Sequence, residues 1–370
     1  MRFTEFSGEW KEELLDRIAT LSKGIGIPKE QLSEDGDPCI LYGELYTKYK
    51  SEIIKQVESK TDIDGSKLKR SKANDVIIPC SGETAVDIAT ARCVPFDRIL
   101  LGGDLNVISL HKYDGAFMSY QLNGKRKYDI ARVAQGVSVV HLYGEHLKTI
   151  KTYNPTLPEQ QKIAILLSLL DERIATQNKI IDKLQSLIKG ISNKIFATIQ
   201  GIEYRMGNIV TISNGNSNVQ DAVTESKDGL YPFFDRSENI KYLPTFLFDK
   251  EAIIYPGEGA EFMPRYFRGK FALHQRCYAI FDFKEIINAQ FLYFYLKTQN
   301  SYFVRNAVGS TVPSLRLDTF QKLKVIIPPK KIQHSVSLYL SSMEQKCNVE
   351  KDILQKLLKQ KQYLLRQMFI

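Results

Sequence analysis

Cysteine is scarce in these 370 residues, and its placement says more than its number. Cys39, Cys80, Cys93, Cys277 and Cys347 are odd in count, scattered and nowhere in CxxC spacing. The pattern speaks against a disulfide framework or a cysteine zinc site and leaves five small hydrophobes for the interior. No apolar run reaches the ~18 residues of a membrane span. The opening residues, MRFTEFSGEW, lack the apolar stretch of a secretory signal. Cytoplasmic residence is the expectation.

Catalytic strings are missing as well. There is no P-loop, no HExxH and no GxSxG. The segment nearest to a methyltransferase Asn-Pro-Pro-aromatic string is NPT at 154–156, which fails. TDIDGS (61–66) falls short of a calcium loop, and YPGEGAEF (255–262) reads as a β-turn rather than a dinucleotide loop. His141 and His146 have no Cys or acidic set at ligand spacing. The chain is expected to be non-catalytic, with no metal and no cofactor of its own.

What is present is basic charge and a long periodic segment. Net charge is +9, which permits a nucleic-acid partner. The excess is uneven: residues 327–370 carry eight basic against three acidic side chains. The rest is closer to neutral, so a nucleic-acid groove there must be local.

The segment PTLPEQQKIAILLSLLDERIATQNKIIDKLQSLIKGI (155–191) predicts one amphipathic helix, with Thr156 as N-cap and Pro158 in its first turn. Ile163, Leu167, Leu170, Ile174, Gln177, Ile181, Leu184 and Ile188 recur at alternating steps of four and three, which is a coiled-coil seam with one polar position. Adding 173 to each number gives a second seam near the C-terminus that includes Leu340, Met343, Glu350, Leu354, Leu357 and Leu364. Pro155, Gln160 and Phe196 map onto Pro328, Gln333 and Phe369 at the same offset, and GVSVVHL (136–142) maps onto GSTVPSL (309–315). IATLSKG (18–24) matches IVTISNG (209–215) at an offset of 191, so the first copy is 18 residues longer. The chain is a duplication of whole domains, at a period too long for a solenoid.

Each copy therefore has a body and a helix. Apolar β-branched runs bounded by turn residues predict strands at 39–46, 75–82 and 98–110, then at 230–237, 251–262 and 270–283. One helix is predicted to close each body, at 115–126 and 289–303. The expected fold class is α/β (α+β): two homologous globular domains separated by a pair of long helices forming an antiparallel coiled coil, with a pseudo-two-fold internal repeat. The expected segments are 1–153, 154–200, 201–326 and 327–370.

NPTLPEQQKIAILLSLLDERI with KIIDKLQSLIKGI resembles the central conserved region of specificity subunits of type I restriction–modification systems (the HsdS family). RFTEFSGEWKEELLDRIATLSKG followed by CILYGELYTKY resembles their N-terminal segment and first target recognition domain, and GSTVPSLRLDTFQKLKVIIPP resembles the close of the second. The resemblance implies a DNA-recognition subunit for a bipartite site, two methyltransferase (modification) subunits that carry S-adenosylmethionine, and two restriction motor-nuclease subunits. The helix pair would act as a ruler. A seam from Ile163 to Ile195 spans about 50 Å, or roughly one and a half turns of duplex. In an antiparallel pair Gln177 and Glu350 are expected to meet. The competing reading is a coiled-coil scaffold whose bodies bind proteins without DNA specificity.

Specific DNA contact needs forked or amide side chains that reach base edges, with basic and hydroxyl groups on the phosphates, and loops are the favoured place for them. The first body offers Ser22, Lys23, Tyr42, Glu44, Tyr46, Lys48, Ser81, Thr84, Arg132 and Gln135. The second offers Asn214, Asn216, Arg236, Ser237, Glu258, Arg265, Arg268, His274, Gln275, Ser310 and Thr311.

Overall fold

The computed structural model describes residues 2–369. The chain divides into two units. One comprises the residues up to Asn178 together with those from Asp352 on, and the other is Lys179–Lys351. Each long helix therefore starts in one unit and ends in the other. The first runs Leu157–Thr198 and the second Lys330–Gln367. The unit boundaries fall inside the helices rather than at their ends.

In the first unit, strand Ala19–Lys23 edges an antiparallel sheet that continues through Leu105–Leu110, Asp75–Pro79 and Arg92–Val94. A second sheet holds a parallel pair, Asp37–Ile40 beside Leu100–Leu101. A two-stranded ribbon, Lys11–Leu14 with Lys151–Asn154, closes the body next to the long helix. The second unit gathers the corresponding strands into one six-stranded sheet: Thr211–Asn214, Tyr278–Phe281, Phe248–Tyr255, Arg265–Leu273, Tyr231–Phe234 and Lys241–Leu243. It repeats the parallel pair, with Phe234 opposite Leu273 where the first unit sets Ile40 opposite Leu101. The ribbon returns as Ile202–Arg205 with Lys324–Ile327. Val76 pairs with Ile108 as Ile253 pairs with Ile280. These equivalences place most of the extra length of the first copy between Ile40 and Val76, where the second copy has only the shorter stretch from Phe234 to Ile253.

Two expectations are corrected. The strand expected across 39–46 ends at Ile40, and Glu44–Thr47 forms a single helical turn. The Glu44 carboxylate accepts the Leu41 N–H at 2.9 Å and fixes that turn, so side chains here do not alternate in and out. The single closing helix is two helices in each body. Gly115–Asn123 breaks at Gly124 before Lys127–Val133, and Ala289–Lys297 breaks at Thr298 before Asn300–Asn306. A Cβ on Gly124 would lie 3.0 Å from the carbonyl oxygen of Leu365, so glycine lets the second long helix approach this break.

The long helices are antiparallel within each unit. In the first, Ile163 and Leu167 share a buried cluster with Leu364, Met368, Phe369 and Phe117. In the second, Ile191, Ile195 and Phe196 share one with Val336, Leu340 and Met343. Late residues of one helix thus meet early residues of the other. All the seam positions named above are buried or half-buried. A fully buried Leu such as Leu167 contributes about 1.5–3 kcal/mol relative to exposure.

Buried polar contacts fix these helices in place. Gln160 accepts the Asp114 N–H at 2.9 Å and donates to Pro155 O at 2.8 Å. Asp114 in turn caps Gly115–Asn123 by accepting the Phe117 N–H at 2.7 Å. The second copy repeats this contact. Gln333 accepts the Asn288 N–H at 2.8 Å, and Asn288 caps Ala289–Lys297. The first unit also buries a charge cluster in which Lys361 pairs with Glu52 at 2.5 Å and Asp171 at 2.6 Å. Burial works against the Lys361 ammonium, but the two carboxylates outweigh it and hold its pKa above the ordinary value.

Candidate nucleic-acid interface

The tail that follows each body is a hairpin, and its backbone dictates where it sits. In the first unit Gln135 pairs with His141 across Gly136, which takes φ 122°. In the second, Val308 pairs with Ser314 across Gly309 at φ 103°. A Cβ on Gly136 would sit 2.1 Å from Val139 O, so only glycine fits. Each hairpin is stitched to the turn after a central strand. Leu142 N–H donates to Cys80 O at 2.8 Å, and Leu315 N–H donates to Gly257 O at 2.8 Å. Ser81 pairs with His141 and Glu258 pairs with Ser314, so equivalent loops converge in both units.

In the first unit this convergence borders an open cleft of about 730 Å³ lined by Tyr42, Tyr46, Thr47, Ser81, Glu83, Asp87, Ser138 and Val139. The Tyr46 hydroxyl donates to Ser81 O at 2.9 Å, tying two of its walls. Thr84 stands at the edge and caps Ala85–Ile88 by accepting the Asp87 N–H at 3.1 Å. Gln135 is exposed on the hairpin. Glu44 lies inside, 6% exposed, where it holds Leu41 N–H and pairs with Lys48 at 2.7 Å. Ser22 and Lys23 line a separate hollow of about 510 Å³ with Asn106, Tyr143 and His146. There the Lys23 ammonium lies 5.5 Å from the centre of the Tyr143 ring. Arg132 is exposed on the helix before the hairpin and pairs with Asp129 at 3.2 Å.

The second unit concentrates its candidates. Arg236, Ser237, Glu258, His274 and Gln275 line one cleft of about 560 Å³ with Asp235, Lys241 and Arg276. Burial pushes the Asp235 carboxyl up, but Lys241 at 2.7 Å and the Ser237 hydroxyl and N–H outweigh it and leave the pKa lowered. Burial holds the pKa of the His274 imidazole below its ordinary value. Asn214 Nδ2 donates to Gln275 O at 3.3 Å, and Asn216 N–H donates to Leu273 O at 3.2 Å, which brings both asparagines to the rim. The Arg265 guanidinium donates to Ser237 O, and Arg276 pairs with Glu258. Ser310 and Thr311 are exposed at the hairpin tip. Arg268 is exposed in mid-strand opposite Glu251, apart from the cleft residues.

Asp235, Lys241 and Arg276 belong to this cleft but lie outside the residues that the sequence points to. Arg276 directly follows His274 and Gln275, so adjacency is the signal that would have found it. In the first unit Val137 is 98% exposed because the turn at Gly136 directs it outward. Among the described residues no cluster of His, Cys, Asp or Glu is placed to hold a metal. All five cysteines are buried and free, and burial pushes the Cys93 thiol up to about 12. No described helix is long and apolar enough to cross a membrane.

Comparison with known proteins agrees with this duplicated plan. The family model described as "Type I restriction modification DNA specificity domain" matches residues 8–186 and again 202–359. The chain is similar to the Type I restriction enzyme EcoDI specificity subunit of Escherichia coli, with 29% identity over 138 residues. That match takes in 37% of this chain and spans 30% of that relative's length. Among solved structures, the type I restriction–modification S subunit from M. genitalium shares the fold with a TM-score of 0.68 at 18% identity, covering 100% of this chain and 99% of that one. A chain from a structure on complex assembly and conformational transition of the type I R-M system matches with a TM-score of 0.58 at 14% identity, covering 98% of this chain and 97% of that one.

Proposed function

We propose that this chain, which belongs to the type I restriction modification DNA specificity domain family, is the DNA-reading subunit of a type I restriction–modification complex. Each unit reads one half of a bipartite site through its loop cluster, and the helix pair sets the unread gap. The observation that carries this reading is the repeat of one architecture, stitched hairpin and turn beside a polar cleft, in two units whose cleft residues differ. A scaffold needs the helices, but it does not need two homologous bodies with divergent polar loops.

Bond chemistry belongs to partners in this reading. Two methyltransferase subunits carrying S-adenosylmethionine modify the site, and two motor-nuclease subunits cut unmodified DNA. The complex works in the cytoplasm, where its substrate is.

The test is to co-express the chain with its neighbouring methyltransferase in a methylation-free host and sequence the modified bases. A split motif with a fixed gap is expected, and exchanging residues 14–153 should change one half alone. A stable complex that methylates nothing would favour the scaffold.

A further inference from the structure

The parallel strand pair supplies a common reference in both units. Ile40 stands opposite Leu101 in the first, and Phe234 stands opposite Leu273 in the second. Two residues beyond this reference each unit has a cleft-lining residue, and there the units differ. The first presents Tyr42 and the second presents Arg236. Both side chains are exposed.

The cations around Arg236 are already engaged. Arg276 pairs with Glu258, Arg265 donates to Ser237 O, and Lys241 pairs with Asp235 at 2.7 Å. Arg236 has no hydrogen-bond or ion-pair partner among the described residues, so its fork remains available. The first cleft has no such group. Its one arginine, Arg92, is 9% exposed and donates to the carbonyls of Tyr49 and Ala91, each at 2.9 Å. Its open charged groups are the acceptors Glu83 and Asp87.

Major-groove chemistry turns this difference into a difference in bases. Guanine shows two adjacent acceptors, N7 and O6, which fit the parallel N–H pair of a guanidinium. Cytosine and adenine show amino donors, which a carboxylate or hydroxyl accepts. Resting on the two-reader function proposed above, we infer that Arg236 is a specificity residue that reads a guanine in the half-site met by the second unit. The first cleft itself contributes no forked cation to its half, only acceptors and hydroxyls.

The test uses the complex of the full chain with its methyltransferase and maps methylated motifs for the wild type, Arg236→Ala and Arg236→Lys. The half-site belonging to the second unit, identified by exchanging residues 202–327, should contain a G·C pair. Arg236→Ala should cut the preference for that pair about ten- to hundred-fold and leave the other half as stringent as before. Arg236→Lys should restore binding strength better than base preference, because an ammonium cannot donate a parallel pair. The inference is overturned by a half-site without a G·C pair, or by unchanged preferences in Arg236→Ala. It is equally overturned by a uniform loss across all sequences, which marks a phosphate contact. An unsplit motif from the wild-type complex would overturn the two-reader function itself, and this assignment with it.

Discussion

The rings of Phe369 and Phe117 lie 5.4 Å apart in the first unit, and Phe196 and Phe291 repeat the contact at 5.5 Å in the second. Phe369 lies just past the end of the helix that begins in the second unit, and Phe196 lies near the end of the helix that begins in the first. Each long helix thus closes the core of the body belonging to the other copy.

Phe369 is 2% exposed, so Phe369→Ala should leave a cavity and cost about 3–5 kcal/mol. Urea denaturation of the full chain should show the loss. A change within about 0.5 kcal/mol would mean that this end of the chain is not part of the core.

Gln160→Leu should strand the Asp114 N–H in a buried site and loosen the cap of Gly115–Asn123. The expected cost is about 1–3 kcal/mol, and Gln333→Leu should match it because the contact is repeated. If either substitution left the denaturation midpoint unmoved, the glutamine would not be the clamp described.

Lys361→Met should cost about 3–5 kcal/mol, because it leaves Glu52 and Asp171 buried without their cation. Adding Glu52→Gln and Asp171→Asn should recover much of that. The pH dependence has a definite sign. The folded pKa of Lys361 lies above its ordinary 10.5, so its contribution is whole below that value and fades as pH rises through the raised one. Stability measured from pH 8 to about 11.5 should fall more steeply in the wild type than in the triple variant.

Gly190 lies exposed within the first long helix, and a Cβ added there would meet nothing within 4 Å. Gly190→Ala should therefore stabilise by about 0.5–1 kcal/mol without touching the clefts. Thermal melting with methylation mapping checks both parts.

Gly136→Ala should disrupt the hairpin beside the first cleft, because its φ is 122° and the added carbon meets Val139 O. The expected outcome is relaxed or lost recognition of one half-site with the other retained. Equal weakening of both halves would show that the hairpin is not specific to the first reader.

Much of the plan is legible in the sequence because periodicity and duplication are properties of the string. The seam from Ile163 to Ile188 is amphipathic whatever surrounds it, and the offset of 173 needs no coordinates. The candidate site is less legible, since a polar residue on a loop reads the same whether it faces solvent or a neighbour. Glu44 has the residue type of a reader and is a buried clamp, while Arg276 lines the cleft and only its adjacency to Gln275 marks it.

By itself, the sequence determined two homologous bodies, two long amphipathic helices and the lack of catalytic strings, because each is written in local spacing or composition. Only the tertiary structure decided that each long helix starts in one unit and ends in the other, that most of the extra length falls between Ile40 and Val76, and that Tyr42 and Arg236 hold equivalent places. Those facts depend on contacts between residues far apart in the chain, such as Lys361 with Glu52, which no local pattern encodes.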